Sequence, residues 1–261
     1  IRDSTYIGIF IIMFSVISSG MVAVMTQNIG AGRPGVAYQA RQLGLVFNAA
    51  LGVIMSLFLS LGAGTILSGV GVADALMQPA KTYLQIVGGF CILNALIPIC
   101  SSYLRAFGFS KEPLYASIIG NVINFCLNAF FLFVLHKGVA GVATATVISR
   151  IINLVIVVLL GAVLVKAKQH PERESNRAVM GQIIRIGLPS ACETAIYNVS
   201  MTLVIRFLNQ MDAQGLNVTA RSYTMQITNF SYCVGAALAQ ANAIMTGWHI
   251  GAKEYDACDR G

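Results

Sequence analysis

Long uncharged stretches set the pattern of this chain. No Asp, Glu, Lys or Arg occurs between Asp3 and Arg33, Arg41 and Asp74, Lys81 and Arg105, Glu112 and Lys137, or Arg221 and Lys253. A membrane-crossing helix needs about 20 mostly apolar residues. Each stretch therefore predicts one span, near 5–26, 43–70, 83–104, 114–135 and 222–247. Two further apolar runs hold charge: 139–165 carries Arg150, and 186–208 carries Glu193 and Arg206. The expectation is seven helices and no strands, because the alternation of a membrane strand is missing. The polar stretch "KAKQHPERESNRAVMGQIIR", 166–185, separates five helices from two. It predicts a linker between a first lobe, 1–165, and the start of a second, 186–261.

Composition strengthens this reading. Of 261 residues, 56% are hydrophobic and 10% charged, against about 25% charged in soluble domains. Mean hydropathy is +0.74. The net charge of +7 is not a nucleic-acid footprint, because the basic residues follow the loops. Connections at 27–42, 105–113, 166–185 and 249–261 hold eleven of the 17 Lys and Arg, and the opposite connections hold five. The positive-inside rule makes the richer set cytoplasmic in a multi-pass plasma-membrane protein. Five of the six cysteines lie in apolar stretches without CxxC spacing, and the histidines show no metal spacing. No cofactor and no metal are expected. The chain opens on Ile1 and stops soon after a span, so an internal piece of a longer protein is expected.

Charged and amide side chains inside spans are the candidate chemistry, because an ionised group near the bilayer centre costs about 2.5–3.5 kcal/mol. Glu193, in "GLPSACETAIYN", is placed about 10 Å into a helix that starts near Ile186. Tyr197 and Met201 share its face, and Pro189 loosens the helix start. Glu193 either faces a wet cavity and binds a proton, sodium or a cationic compound, or reaches the interface or Arg185. Asn121, Asn124 and Asn128 form one stripe, for water contact or for interhelical bonds worth about 0.6 kcal/mol each. Arg150 lies too deep to snorkel easily. It either lines a cavity, pairing with an acid such as Glu193, or pairs structurally elsewhere.

The segment "IGA" occurs at 29–31 and again at 250–252, 221 residues later. Both copies follow a long uncharged span and precede a basic stretch. Repeats of this kind are a transporter device.

"YLRAFGFSKEPLYASIIGNVINFCLNAFFLF", 103–133, with "GVAGVATATVIS", 138–149, "IGAG", 29–32, and "IGLPSACE", 186–193, resembles the multidrug and toxic compound extrusion (MATE) transporters. The resemblance runs in order along essentially the whole chain. It implies an all-α, polytopic, two-lobed bundle of twelve helices, of which helices two to eight are here. It also implies export of organic, often cationic, compounds coupled to proton or sodium entry by a monomer embedded in the lipid bilayer. In family members with a first-lobe cation site, an Asn and an Asp four residues apart, a Thr, and an Asp in helix one form it. Asn124 and Thr146 match the Asn and the Thr. Asn128 stands in place of the Asp and supplies no negative charge, so Glu193 becomes the better coupling candidate. The rival within the superfamily is a lipid-linked oligosaccharide flippase, which needs more cavity cations than Arg150. A seven-helix retinal protein needs a Lys in its last span, and a membrane enzyme needs HExxH, GxSxG or paired intramembrane acids. None of these occurs.

Overall fold

The computed structural model describes residues 17–70, 74–165, 174–211 and 216–258. Every regular element among them is helical: α1 (17–30), α2 (Pro34–Leu61), α3 (Ala63–Val70), α4 (Asp74–Gly89), α5 (Ile92–Ala106), α6 (Lys111–Ala129), α7 (Gly138–Leu164), α8 (Asn176–Met211), α9 (Leu216–Ala252) and α10 (Tyr255–Cys258). Single helices long and apolar enough to cross a membrane are α2, α6 with its C-terminal extension, and α7. Among the described residues a bent pair, Met77–Gly89 with Ile92–Ala106, is long and apolar enough for a fourth when taken as one broken span, the other geometry being a re-entrant loop. The longer α8 and α9 have 36 and 37 residues, about 54 Å at 1.5 Å per residue, but carry more polar positions. The expected span 5–26 is helical from residue 17, and its earlier part lies outside the described residues.

Three expectations need correction, each for a local reason. The span expected over 43–70 begins at Pro34 and breaks at Gly62. Pro34 starts a helix without loss because its missing N–H would have no partner there. The span expected over 83–104 is two helices meeting at 42°. The bend falls at Phe90–Cys91, directly after Gly88 and Gly89, and glycines are a common site of sharp kinks. The linker expected over 166–185 is helical from Asn176. Val179 and Ile183, one turn apart and fully buried, dock this polar-looking stretch on the core. Each such burial stabilises by about 1.5–3 kcal/mol in water.

Beyond Ala129, α6 continues as a π-helical turn, Phe130–Val134. Leu135 N–H donates to the Phe130 carbonyl at 3.1 Å, so one extra residue is held in the turn. This places Phe131 against α7, where a Cβ at Gly141 would lie 2.8 Å from the Phe131 Cβ. His136 and Gly138, with φ of +50° and +53°, reverse the chain between the two helices. The core gathers Met21 and Met25 of α1, Val36 and Ala40 of α2, Ile99 and Tyr103 of α5, Val157 of α7, and Val179 and Ile183 of α8. Large apolar side chains such as Phe125, Leu159 and Val163 point outward, as a lipid-facing surface requires.

The repeat seen in the sequence recurs in the backbone. Gly32 and Lys253, 221 residues apart, both adopt positive φ, +72° and +62°. Around the first, Gly32 N–H donates to Ile29 O at 3.0 Å and Arg33 N–H to Asn28 O at 2.8 Å. Around the second, Lys253 N–H donates to Ile250 O at 3.1 Å and Glu254 N–H to His249 O at 2.9 Å. These are two copies of one left-handed helix cap, followed by helices starting at Pro34 and Tyr255. The copies also touch reciprocally. A Cβ at Gly30 would lie 2.0 Å from the Trp248 carbonyl oxygen, and one at Gly251 would lie 2.0 Å from that of Gln27. Between them Gly247 meets Thr26, its counterpart. Thus α1 and α9 cross about a local two-fold axis, with Thr26, Gly30, Gly247 and Gly251 in a small-xxx-small pattern that lets backbones approach.

Side chains fasten the same end of the bundle. The indole N–H of Trp248 donates to Ala106 O at 2.9 Å, and Arg105 donates to the amide oxygen of Gln240. Arg33 pairs with Glu174 at 2.6 Å. Gln39 acts as a substitute peptide group: its Nε2 donates to Glu174 O at 2.7 Å, and its Oε1 accepts from Glu174 N–H at 3.1 Å.

Candidate functional site

α6 and α7 lie side by side, and their polar stripes face each other. On α6, Gly120, Asn121 and Asn124 border a cavity of about 150 Å³; on α7, Thr146, Ser149, Arg150 and Asn153 do. Gly120 permits the approach, since a Cβ there would lie 3.3 Å from Asn153. A chain of hydrogen bonds orders the wall. Asn128 Nδ2 donates to Asn124 Oδ1 at 3.0 Å, and Asn124 Nδ2 donates to Ser149 Oγ at 3.2 Å. The Ser149 and Thr146 hydroxyls donate to Thr146 O and Val142 O, both at 2.9 Å. Asn128 and Asn153 keep buried carbonyl oxygens without partners. Such orphaned acceptors suit a bound cation or a donor group, whereas the guanidinium of Arg150 suits acceptors.

The structure therefore joins Asn121, Asn124, Thr146 and Arg150 at one cavity, with Asn128 attached through Asn124. Ser149 and Asn153 were missed in the sequence. Their signal was present, because Thr146, Ser149, Arg150 and Asn153 fall at i, i+3, i+4 and i+7 of one helix.

Glu193 and Tyr197 stand apart from this cavity. Both are exposed on α8, one turn apart, with half-buried Met201 one turn further. Pro189 lies inside a continuous α8, so it does not open a helix, and Glu193 sits well past the helix start at Asn176. Among the described residues Glu193 pairs with neither Arg150 nor Arg185. The side chain of Arg206 lies outside the described residues. No group of His, Cys, Asp and Glu suited to a metal ion occurs among the described residues.

A family model described as MatE matches residues 4–130. An uncharacterized transporter, YisQ of Bacillus subtilis, is 32% identical, covering 96% of this chain and 56% of that protein. The chain belongs to the MATE family. A probable multidrug resistance protein NorM of Streptococcus pneumoniae is 26% identical over 92% of this chain and 54% of that protein. Among solved structures, MATE in the bent conformation superposes with a TM-score of 0.86 at 18% identity, over 98% of this chain and 58% of that one. An outward-facing MATE transporter of the MOP superfamily gives 0.83, also at 18% identity, over 98% of this chain and 57% of that one. Every described element of the MATE chain is thus helical, and its family is one of multi-pass membrane transporters, not enzymes. The chain spans about half the length of the curated relatives it matches.

Proposed function

We propose that the whole protein is a multidrug exporter. It moves small organic compounds, cations among them, out across the plasma membrane as protons or sodium ions enter. The observation that carries this reading is Glu193, a carboxylate exposed on an apolar stretch of α8 and without an ion-pair partner among the described residues. Such a group in a membrane helix marks an ion or substrate path. Tyr197 and Met201 on the same face supply an aromatic and an adaptable apolar contact. The cavity of Asn121, Asn124, Thr146 and Arg150, with Asn128 beside it, is the substrate-contacting surface of the first lobe. It has no carboxylate in its wall, which leaves ion coupling to Glu193.

In this scheme residues 1–165 form the first lobe and 186–261 begin the second, in a protein that works as a monomer. The basic loops face the cytoplasm, and the two lobes meet there through Gly30, Gly251, Trp248 and Arg105. With that end shut, the cavity opens outward. Ion binding at Glu193 and compound binding compete across the two states, and export follows from differential affinity.

The test is efflux of a fluorescent organic cation, ethidium, from cells expressing the full-length parent. Wild type is compared with Glu193→Gln at matched expression, under proton and sodium gradients imposed separately. Loss of gradient-driven efflux is expected, and the gradient that drives wild type names the ion. Unchanged efflux in the mutant removes Glu193 from the coupling scheme.

A further inference from the structure

Arg41 of α2 lies at the end of a second cavity, of about 350 Å³, between α2, α5 and α7. Its walls include Leu45 and Ala49 of α2, Leu96 of α5, and Leu154 and Val158 of α7. On each of α2 and α7 these wall residues are four apart, so the groove runs along the helices. Every wall residue is apolar apart from Arg41 at one end and the thiol of Cys100.

The cation is built in. Its guanidinium carbon sits 4.5 Å from the centre of the Tyr103 ring and 5.9 Å from that of Tyr38. Tyr103 is itself fully buried and braced edge-on by Phe107, with ring centres 5.1 Å apart. Among the described residues no carboxylate pairs with Arg41. Its Nε is buried without a hydrogen-bond acceptor. A half-buried guanidinium held by aromatic rings, with its Nε donor unfilled, is a site for a compact anion, and phosphate matches its geometry well.

Depth identifies the anion's source. α2 has 28 residues, about 42 Å, whereas the hydrocarbon core is about 30 Å thick. About 12 Å of α2 must therefore lie outside the core. The polar end of the helix, with Gln39, Arg41 and Gln42, supplies that excess. Arg41, seven residues after Pro34 and so about 10 Å along the helix, then lies at the edge of the hydrocarbon, from which its long side chain reaches toward the lipid phosphates, and the apolar groove runs from it into the hydrocarbon. The excess of basic loops at this end assigns it to the cytoplasmic leaflet, where anionic lipids concentrate.

We propose that this groove is a binding site for one anionic phospholipid of the cytoplasmic leaflet, with its phosphate on Arg41 and one acyl chain between α2, α5 and α7. The site does not depend on which compound the protein exports. It makes the first lobe's packing sensitive to membrane composition.

Native mass spectrometry of the purified, delipidated full-length parent tests this, with phosphatidylglycerol, phosphatidylcholine and inorganic phosphate titrated separately. Wild type is compared with Arg41→Gln, Arg41→Lys and Val46→Trp. Val46 also borders the groove and is 71% exposed, so the indole fills the groove without entering the core. The expected result is at least fivefold preference for phosphatidylglycerol over phosphatidylcholine in wild type. Arg41→Gln and Val46→Trp each lower phosphatidylglycerol affinity at least fivefold, and Arg41→Lys lowers it less. Equal binding of the two lipids overturns the proposal, as does binding of inorganic phosphate as tight as that of phosphatidylglycerol. If Arg41→Gln fails to fold, Val46→Trp decides alone: undiminished binding by that variant sinks the assignment.

Discussion

Replacing Gly30 by alanine adds one methyl group where α1 crosses α9. The new Cβ would stand 2.0 Å from the carbonyl oxygen of Trp248. A carbon–oxygen contact needs about 3.3 Å, so the two helices must separate by about 1.3 Å at this point. The obstacle is backbone, which cannot swing aside as a long side chain would. The displaced segment also carries the Trp248 indole bond to Ala106 and the contact of Gly251 with Gln27, so the strain spreads to both. Overpacking of this kind costs about 1–3 kcal/mol. At roughly 2–4 °C per kcal/mol, the full-length protein in detergent should melt on the order of 5 °C lower, read by intrinsic fluorescence. Gly251→Ala meets the same obstacle from the other side and should lower melting by a similar amount. Gly181→Ala, with nothing within 4 Å of its Cβ position, should not. Wild-type melting of both Gly30→Ala and Gly251→Ala would show that the crossing is looser than drawn, and the local two-fold contact would have to be abandoned.

Lys253→Gly should stabilise the protein by roughly 0.5–1 kcal/mol, because a side chain at φ +62° carries a strain glycine lacks; a raised melting temperature checks it. Gln39→Ala removes both hydrogen bonds to the Glu174 peptide, so hydrogen exchange at the Glu174 amide should accelerate on the order of tenfold, at about 1 kcal/mol per bond. Asn124→Leu deletes the link between Asn128 and Ser149 and should cost only about 0.6 kcal/mol per bond in stability. It should weaken transport clearly more than it weakens folding, which efflux and melting of the same preparation would separate.

Helix existence was readable from charge-free stretches, because a spanning helix must be apolar for its whole length. Helix ends were less readable. Val179 and Ile183 are two apolar positions in a polar segment, too few to outweigh the surrounding Arg, Glu and Gln, yet they dock α8 a whole three turns earlier than expected. The break at Phe90–Cys91 was hidden because both residues are apolar, and only the Gly88–Gly89 pair hints at it. At the candidate site the Asn stripe of α6 was legible from its spacing, and so was Arg150. Ser149 and Asn153 were overlooked because each alone is unremarkable in a membrane helix, and their meaning comes from the facing helix. The separation of Glu193 from the α6–α7 cavity was not readable at all, since it depends on packing between distant segments.

The duplicated cap has one further consequence. With Gly32 matched to Lys253, position 33 has two occupants, and they differ in sign: Arg33 in the first copy and Glu254 in the second. Each finds a different partner, Glu174 for Arg33 and His249 for Glu254. An exact duplicate would have set two like charges on either side of the crossing, each repelling the other at every approach of the lobes. The inversion breaks the symmetry of charge while leaving the symmetry of the backbone whole.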